Sequence, residues 1–116
     1  MAMTEIEKVR TVFAGMSAGD VNLATQYMDH KRFVQHSPHV ADGVEGLRQF
    51  ISQSPRDQLQ LTVVRAFQDG RYVVTQTKGQ RSRQNIFFDV FRFEGGLIVE
   101  HWTFSVQDAP PNPSGH

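Results

Sequence analysis

Residues 86–93 read IFFDVFRF, an acid set in a run of aromatic and β-branched residues, and the reading of this stretch decides the fold. Such residues favour a pleated strand. Successive side chains of a strand point to opposite faces, so Phe87, Asp89, Phe91 and Phe93 share one face and Ile86, Phe88 and Val90 the other. Both faces are apolar apart from Asp89 and Arg92. An antiparallel sheet with one face in water alternates apolar and polar residues, so this strand is expected to be covered on both sides. Its run extends over Gln84–Glu94 and turns at Gly95-Gly96 into a second long run, Leu97–Gln107. Upstream, Gln60–Gln68 and Arg71–Lys78 are joined by Asp69-Gly70, a strong hairpin signal. A polar loop, Gly79–Arg83, separates the two hairpins. After Gln107 the tail DAPPNPSGH carries three prolines, which cannot pair in a central strand.

The first half reads as helix. Thr4 and Glu7 have capping-box spacing, and Ile6, Val9, Val12, Phe13 and Met16 recur at three and four residues. Gly19-Asp20 interrupts the pattern, and Asp20 can cap a second, short helix carrying Leu23, Ala24, Tyr27 and Met28. An extended piece, Phe33–His36, ends at Ser37-Pro38. Asp42 and Glu45 repeat the capping-box spacing before a third helix with Val44, Leu47, Phe50 and Ile51 inward, ending before Pro55. Helices followed by antiparallel hairpins predict an α+β domain with the helices on one face of a curved sheet. Three helices cover one face only. The other, with Phe88, Val90, Trp102 and Phe104, is expected to be covered by a second copy of the chain, giving a homodimer.

Composition narrows the function. The 116 residues make one domain, with 12 Lys+Arg against 12 Asp+Glu, five His and no Cys. A disulfide scaffold and thiolate zinc sites are excluded. A zero formal charge gives no field for binding phosphates. The basic cluster Lys78, Arg81 and Arg83 has no interleaved aromatics and reads as a solvated hairpin end, so no nucleic-acid partner is expected. No apolar run is long enough to span a bilayer, and the start MAMTEIEKVR carries acids. The expectation is a soluble cytoplasmic protein with no membrane partner. No phosphate-binding glycine loop, nucleophile elbow or dinucleotide fingerprint is present, so no cofactor is expected.

Few residues are left to carry chemistry. Burial in an apolar cavity favours the protonated form of a carboxyl, which can then donate to an oxyanion. Asp89 fits that role, unless it pairs with Arg65 or Arg92 or sits at a surface edge. His36, where strand turns to loop, can serve as a general base near neutral pH or as a hydrogen-bonded loop residue. His39 and Asp42 follow it at metal-ligand spacing, but Pro38 lies between the two His and no metal is expected. His101 and Thr103 share a parity on the last strand and either line a cavity with Asp89 or are satisfied interior groups. Gln76, at the parity of Tyr72 and Val74, is another polar group that either orients a ligand or makes a structural hydrogen bond.

Three segments carry a family resemblance: FVQHSPHVADGVEGLRQF (Phe33–Phe50), FFDVFRFEGGLIVEHW (Phe87–Trp102) and the tail NPSGH. In their order and spacing they resemble the SnoaL-like polyketide cyclase branch of the nuclear-transport-factor-2-like superfamily, which includes ketosteroid isomerase. The resemblance implies a cone-shaped NTF2-like fold, with three N-terminal helices on a curved, mainly antiparallel sheet that encloses an apolar pocket. Phe13, Met16, Tyr27, Phe50, Tyr72, Gln76, Phe87, Phe91 and Thr103 are expected to line it. Asp89 matches the oxyanion-hole acid of ketosteroid isomerase, His36 falls near that enzyme's base, and His101 matches the His of the family's V-E-H-W strand. The implied activity is a cofactor-independent isomerase or aldol cyclase acting on an apolar carbonyl compound, with His36, Asp89 and His101 as the catalytic set. The chain has Thr103 where the family commonly has Asp, Gln76 where it often has His, and Val12 where the isomerase branch has Tyr. These departures keep a second reading open, a dimeric module that binds a hydrophobic small molecule without turnover.

Overall fold

The computed structural model describes residues 3–37, 40–79 and 85–107. His39, Arg81, Arg83 and the tail from residue 108 lie outside the described residues. The first helix, α1, spans Glu5–Ala18 and starts in a capping box: Glu7 N–H donates to Thr4 Oγ1 and Thr4 N–H to Glu7 Oε1. It ends at Gly19, whose φ of 67° is the left-handed cap geometry that glycine adopts without a steric cost. Its buried stripe is Val9, Val12 and Phe13.

Five strands form one sheet: β1 Val34–His36, β2 Leu61–Asp69, β3 Tyr72–Gly79, β4 Asn85–Glu94 and β5 Leu97–Gln107, in the order β1-β5-β4-β3-β2. All neighbours are antiparallel except β1, which runs parallel to β5. The register shifts between Val63 and Arg65 and again between Arg92 and Phe93. Such bulges bend the strand and sharpen its twist. Helices pack on the face that carries Val73, Thr75, Thr77, Phe87, Asp89, Phe91 and His101. The outer face carries Tyr72, Val74, Gln76, Phe88, Val90, Trp102 and Phe104, as the period of two in IFFDVFRF requires.

The second helix is shorter than the sequence pattern suggests. Only Val21–Ala24 (α2) is helical, capped by Asp20 Oδ1 at Leu23 N–H. Tyr27 and Met28 leave it because the start of β5 takes their backbone: Ile98 N–H donates to Tyr27 O at 2.8 Å and Asp29 N–H donates to Ile98 O at 2.9 Å. The sheet here overrides helical periodicity. The third helix, α3, spans Gly43–Gln53 and buries Val44, Leu47 and Ile51, and a 3-10 turn at Arg56–Leu59 buries Leu59. At the centre of the core the Phe13 ring meets Phe91 edge-on at 6.0 Å. Among the described residues no helix is long and apolar enough to cross a membrane.

Candidate active site

The helices and the covered face of the sheet enclose a cavity of about 200 Å³. Most of its wall is apolar, with Val12, Phe13 and Met16 from α1, Leu47 and Phe50 from α3, and Phe87 and Phe91 from β4. Its polar groups gather where three adjacent strands meet. Asp89 on β4 lies directly opposite Thr103 on β5, Phe91 lies opposite His101, and the parallel pairing of β1 sets Gln35 beside His101. Register alone therefore brings Asp89, His101, Thr103 and Gln35 together on one wall of the cavity. Ser37 and Ser105 extend that wall.

The four side chains form a single chain of hydrogen bonds. His101 Nε2 lies 2.7 Å from Asp89 Oδ1, and its Nδ1 lies 3.0 Å from Gln35 Oε1. Thr103 Oγ1 donates to the same Asp89 Oδ1 at 2.9 Å and stands 3.1 Å from His101 Nε2. Asp89 is 4% exposed and His101 9%. Both imidazole nitrogens are thus occupied by protein oxygens. Asp89 Oδ2, by contrast, has no hydrogen-bond partner among the described residues. A carboxylate oxygen left open in an apolar cavity, with its sister oxygen held by two groups, is placed to take or give a proton. Gln35 is fixed from behind, its backbone N–H donating to Asp42 Oδ1 at 2.7 Å. Asp42 also caps α3 by accepting from Gly43 N–H, and these two bonds, that from Gln35 first, hold its carboxyl below the usual range.

Four residues expected at the cavity lie elsewhere. His36 sits on the outer face, 2.7 Å from Glu100 Oε2 and stacked on Trp102 with centroids 5.3 Å apart. It follows Gln35 in a strand, so the two side chains point to opposite faces. Tyr72 and Gln76 also belong to the outer face, where Tyr72 approaches Trp102. Tyr27 leaves α2 for the bridge to β5, and its hydroxyl reaches Met3 Sδ instead. Of the other expected lining residues, Phe13, Met16, Phe50, Phe87, Phe91 and Thr103 all border the cavity. Asp89 pairs with neither Arg65 nor Arg92; Arg92 donates to Glu100 and Glu94 on the outer face. Burial pushes the Glu100 carboxyl up, but hydrogen bonds from His36 and Arg92 outweigh it and leave the group below its ordinary range. Gln35 is the member the sequence reading missed. Its signal was available, since Gln35 shares a parity with the buried Phe33 while His36 shares one with the exposed Val34. Among the described residues no group of three or more His, Asp or Glu side chains is placed to hold a metal.

A family model described as SnoaL-like domain matches residues 9–101. No functionally curated protein matches the chain. Among solved structures, an NTF-2 like protein of unknown function from Burkholderia xenovorans LB400 is 15% identical, with 95% of this chain and 88% of that one covered at a TM-score of 0.79. A candidate ketosteroid isomerase from Kribbella flavida DSM 17836 is 16% identical over 94% of this chain and 82% of its own, at a TM-score of 0.75. TsrD from Streptomyces laurentii is 19% identical, covers 90% of each chain and has a TM-score of 0.68. Likeness at these identities establishes the fold, which hosts many chemistries.

Proposed function

The chain belongs to the SnoaL-like domain family, and from that premise we propose that it moves a proton on a small apolar carbonyl compound, as a cofactor-independent isomerase or aldol cyclase. The observation that carries this reading is the open Oδ2 of Asp89, facing a cavity whose remaining wall is largely phenylalanine and aliphatic. Asp89 is then the base, the role that His36 cannot fill from the outer face. Oδ2 takes a proton from the carbon next to the carbonyl, and the C–H electron pair moves onto the carbonyl oxygen as an enolate. In an isomerisation Asp89 returns the proton to another carbon of the same molecule. In a cyclisation the enolate carbon attacks a second carbonyl instead, and the proton passes to the new alkoxide. Neither route changes oxidation state, so the balance needs no redox partner. His101 and Thr103 hold Oδ1 and keep the carboxylate in one orientation.

The test is exchange of the α-protons of cyclohexanone in D₂O, followed by NMR. The chain should accelerate exchange, and Asp89→Asn should remove about 10²-fold or more of that rate. Absence of any acceleration, with an apolar ligand still bound in the cavity, overturns the enzyme reading in favour of a binding module for a hydrophobic small molecule.

We also propose that the outer face packs on a second copy of the chain. Phe67 is 55% exposed and Phe104 53%, and Tyr72 and Phe88 add to the same apolar surface. A twofold axis along β4 sets these rings of one copy over the same face of the other, an arrangement that is self-complementary by symmetry. Light scattering at micromolar concentration should give twice the monomer mass for the wild type and the monomer mass for Phe104→Arg. A monomeric wild type rejects the dimer.

A further inference from the structure

Proton abstraction next to a carbonyl leaves negative charge on oxygen, and a pocket that promotes it needs a hydrogen-bond donor at that oxygen. Asp89 as base cannot also supply it. The His101 nitrogens are both directed at protein oxygens, and the Thr103 hydroxyl proton goes to Asp89 Oδ1. We propose that the donor is the side-chain amide of Gln35, making it a second catalytic residue that meets the ligand oxygen while Asp89 Oδ2 faces the proton.

The geometry for this lies in the two ends of one amide. Oε1 of Gln35 is engaged by His101 Nδ1 at 3.0 Å, which leaves the NH₂ end with no hydrogen-bond partner among the described residues. Gln35 is 7% exposed and borders the cavity. Nothing among the described residues accepts from this NH₂, so on the polar wall of an apolar cavity it is a donor that a ligand oxygen can satisfy. The opposite amide orientation would present two acceptor oxygens, from Gln35 and Asp89, and would repel an enolate. His101 decides between them: its Nε2 donates to the Asp89 carboxylate, and with a second proton on Nδ1, the imidazolium of an ion pair with Asp89, Nδ1 needs an acceptor and draws Oε1 toward itself. The histidine is in turn held by the parallel stack on Phe91 and by Asp89. The wall therefore offers one acceptor, Asp89 Oδ2, and one donor, Gln35 NH₂. That pair recognises a neutral enol or hydroxyl ligand, which gives one hydrogen bond and takes one. The inference deepens the proton-transfer reading and rests on it for its catalytic meaning, but the recognition it describes is measurable without turnover.

The probes are 2-naphthol, a flat stable enol, and 2-methylnaphthalene, the same shape with no hydroxyl. Their affinities are compared by fluorescence titration on wild type, Gln35→Met and Gln35→Glu. In the wild type the hydroxyl should favour 2-naphthol. In Gln35→Met the ratio of the two affinities should fall on the order of 10-fold, the value of one lost hydrogen bond, with 2-methylnaphthalene held within about twofold. Gln35→Glu keeps an acceptor for His101 Nδ1 and offers no donor; the single naphthol hydrogen already goes to Asp89, so the ratio should fall here too. A second readout is the ¹⁵N spectrum of His101, assigned by its loss in His101→Asn. Nδ1 should be protonated in the wild type and in Gln35→Glu and lose its proton in Gln35→Met. An unprotonated Nδ1 in the wild type, or an affinity ratio unchanged in either Gln35 variant, overturns the proposal. Equal weakening of both probes overturns it as well, because it marks Gln35 as a packing residue. Failure of the proton-transfer reading shows separately, as absent α-proton exchange with the naphthol ratio intact.

Discussion

The imidazole of His101 lies flat against the ring of Phe91, with centroids 4.3 Å apart and planes 8° from parallel. The two residues face each other directly across β4 and β5, and Phe91 is fully buried with Phe13 edge-on behind it. Phe91 thus fixes the plane in which His101 reaches Asp89 on one side and Gln35 on the other. Phe91→Leu should cost about 1–3 kcal/mol of stability through lost contact area and imperfect repacking. It should also lower α-proton exchange at temperatures where the variant is fully folded. Denaturant melts and exchange rates measured side by side check both halves; a stability loss with unchanged exchange would show that Phe91 serves the core alone.

His36 gives the opposite expectation. Its side chain is 44% exposed, pairs with Glu100 and stacks on Trp102 on the face away from the cavity. Removing it leaves Asp89, His101, Thr103 and Gln35 in place. His36→Ala should keep α-proton exchange within about twofold of the wild type, and the half-exposed pair with Glu100 should contribute well under 1 kcal/mol. A tenfold fall in exchange would return His36 to the site and refute the assignment made from strand parity.

Period and position account for what the sequence made legible. The two hairpins, the acid among phenylalanines and both faces of β4 follow from a period of two, and the structure agrees with them because long antiparallel strands leave little freedom of register. The short segments misled. In Val34–His36 a three-residue strand has two parities, and the choice between Gln35 and His36 depends on which one shares Phe33's face. Gln76 and Tyr72 fail for the same reason. They do share a parity, but β3 buries Val73, Thr75 and Thr77 and turns the other set outward. A run of Val and Thr does not announce which set is inside. Tyr27 fails for another reason, because the backbone of β5 competes for the chain where the helical pattern would have continued.

Two buried threonines test how polar groups fare inside this fold. Thr77 is fully buried on the covered face of β3, and its hydroxyl has no hydrogen-bond partner among the described residues. Thr25 is also buried, but its hydroxyl donates to Val21 O at 2.7 Å. The same substitution should therefore act with opposite signs. Thr77→Val removes an unpaired hydroxyl and should stabilise by about 1 kcal/mol, whereas Thr25→Val breaks a made bond and should destabilise by about 1 kcal/mol. Thermal or denaturant melts of the two variants decide it, and a destabilised Thr77→Val would mean that the hydroxyl is satisfied in solution.

Acid should loosen the polar wall of the cavity from behind, through Asp42. Its carboxylate accepts from Gln35 N–H and Gly43 N–H, so it ties β1 to the start of α3, and those bonds, with a smaller contribution from the nearby His36, lower it from 3.8. Asp29 is lowered by Arg32, Glu94 by Arg92 and Glu7 by Thr4. In each case the folded carboxyl binds its proton less readily than the unfolded one. The stability these groups contribute is therefore complete above the unfolded values of 3.8 to 4.5 and is lost as pH falls below them toward the folded ones. The melting temperature should hold steady from pH 7 to about pH 5 and decline below about pH 4.5. Asp42→Asn keeps an oxygen able to cap α3 and to accept from Gln35, but it removes the charge and the titration. Its melting temperature should start lower than the wild type at pH 7 and fall less between pH 5 and pH 3. Parallel acid limbs in the two proteins would show that Asp42 does not couple protonation to the fold, and that the Gln35 backbone is held by something other than this carboxylate.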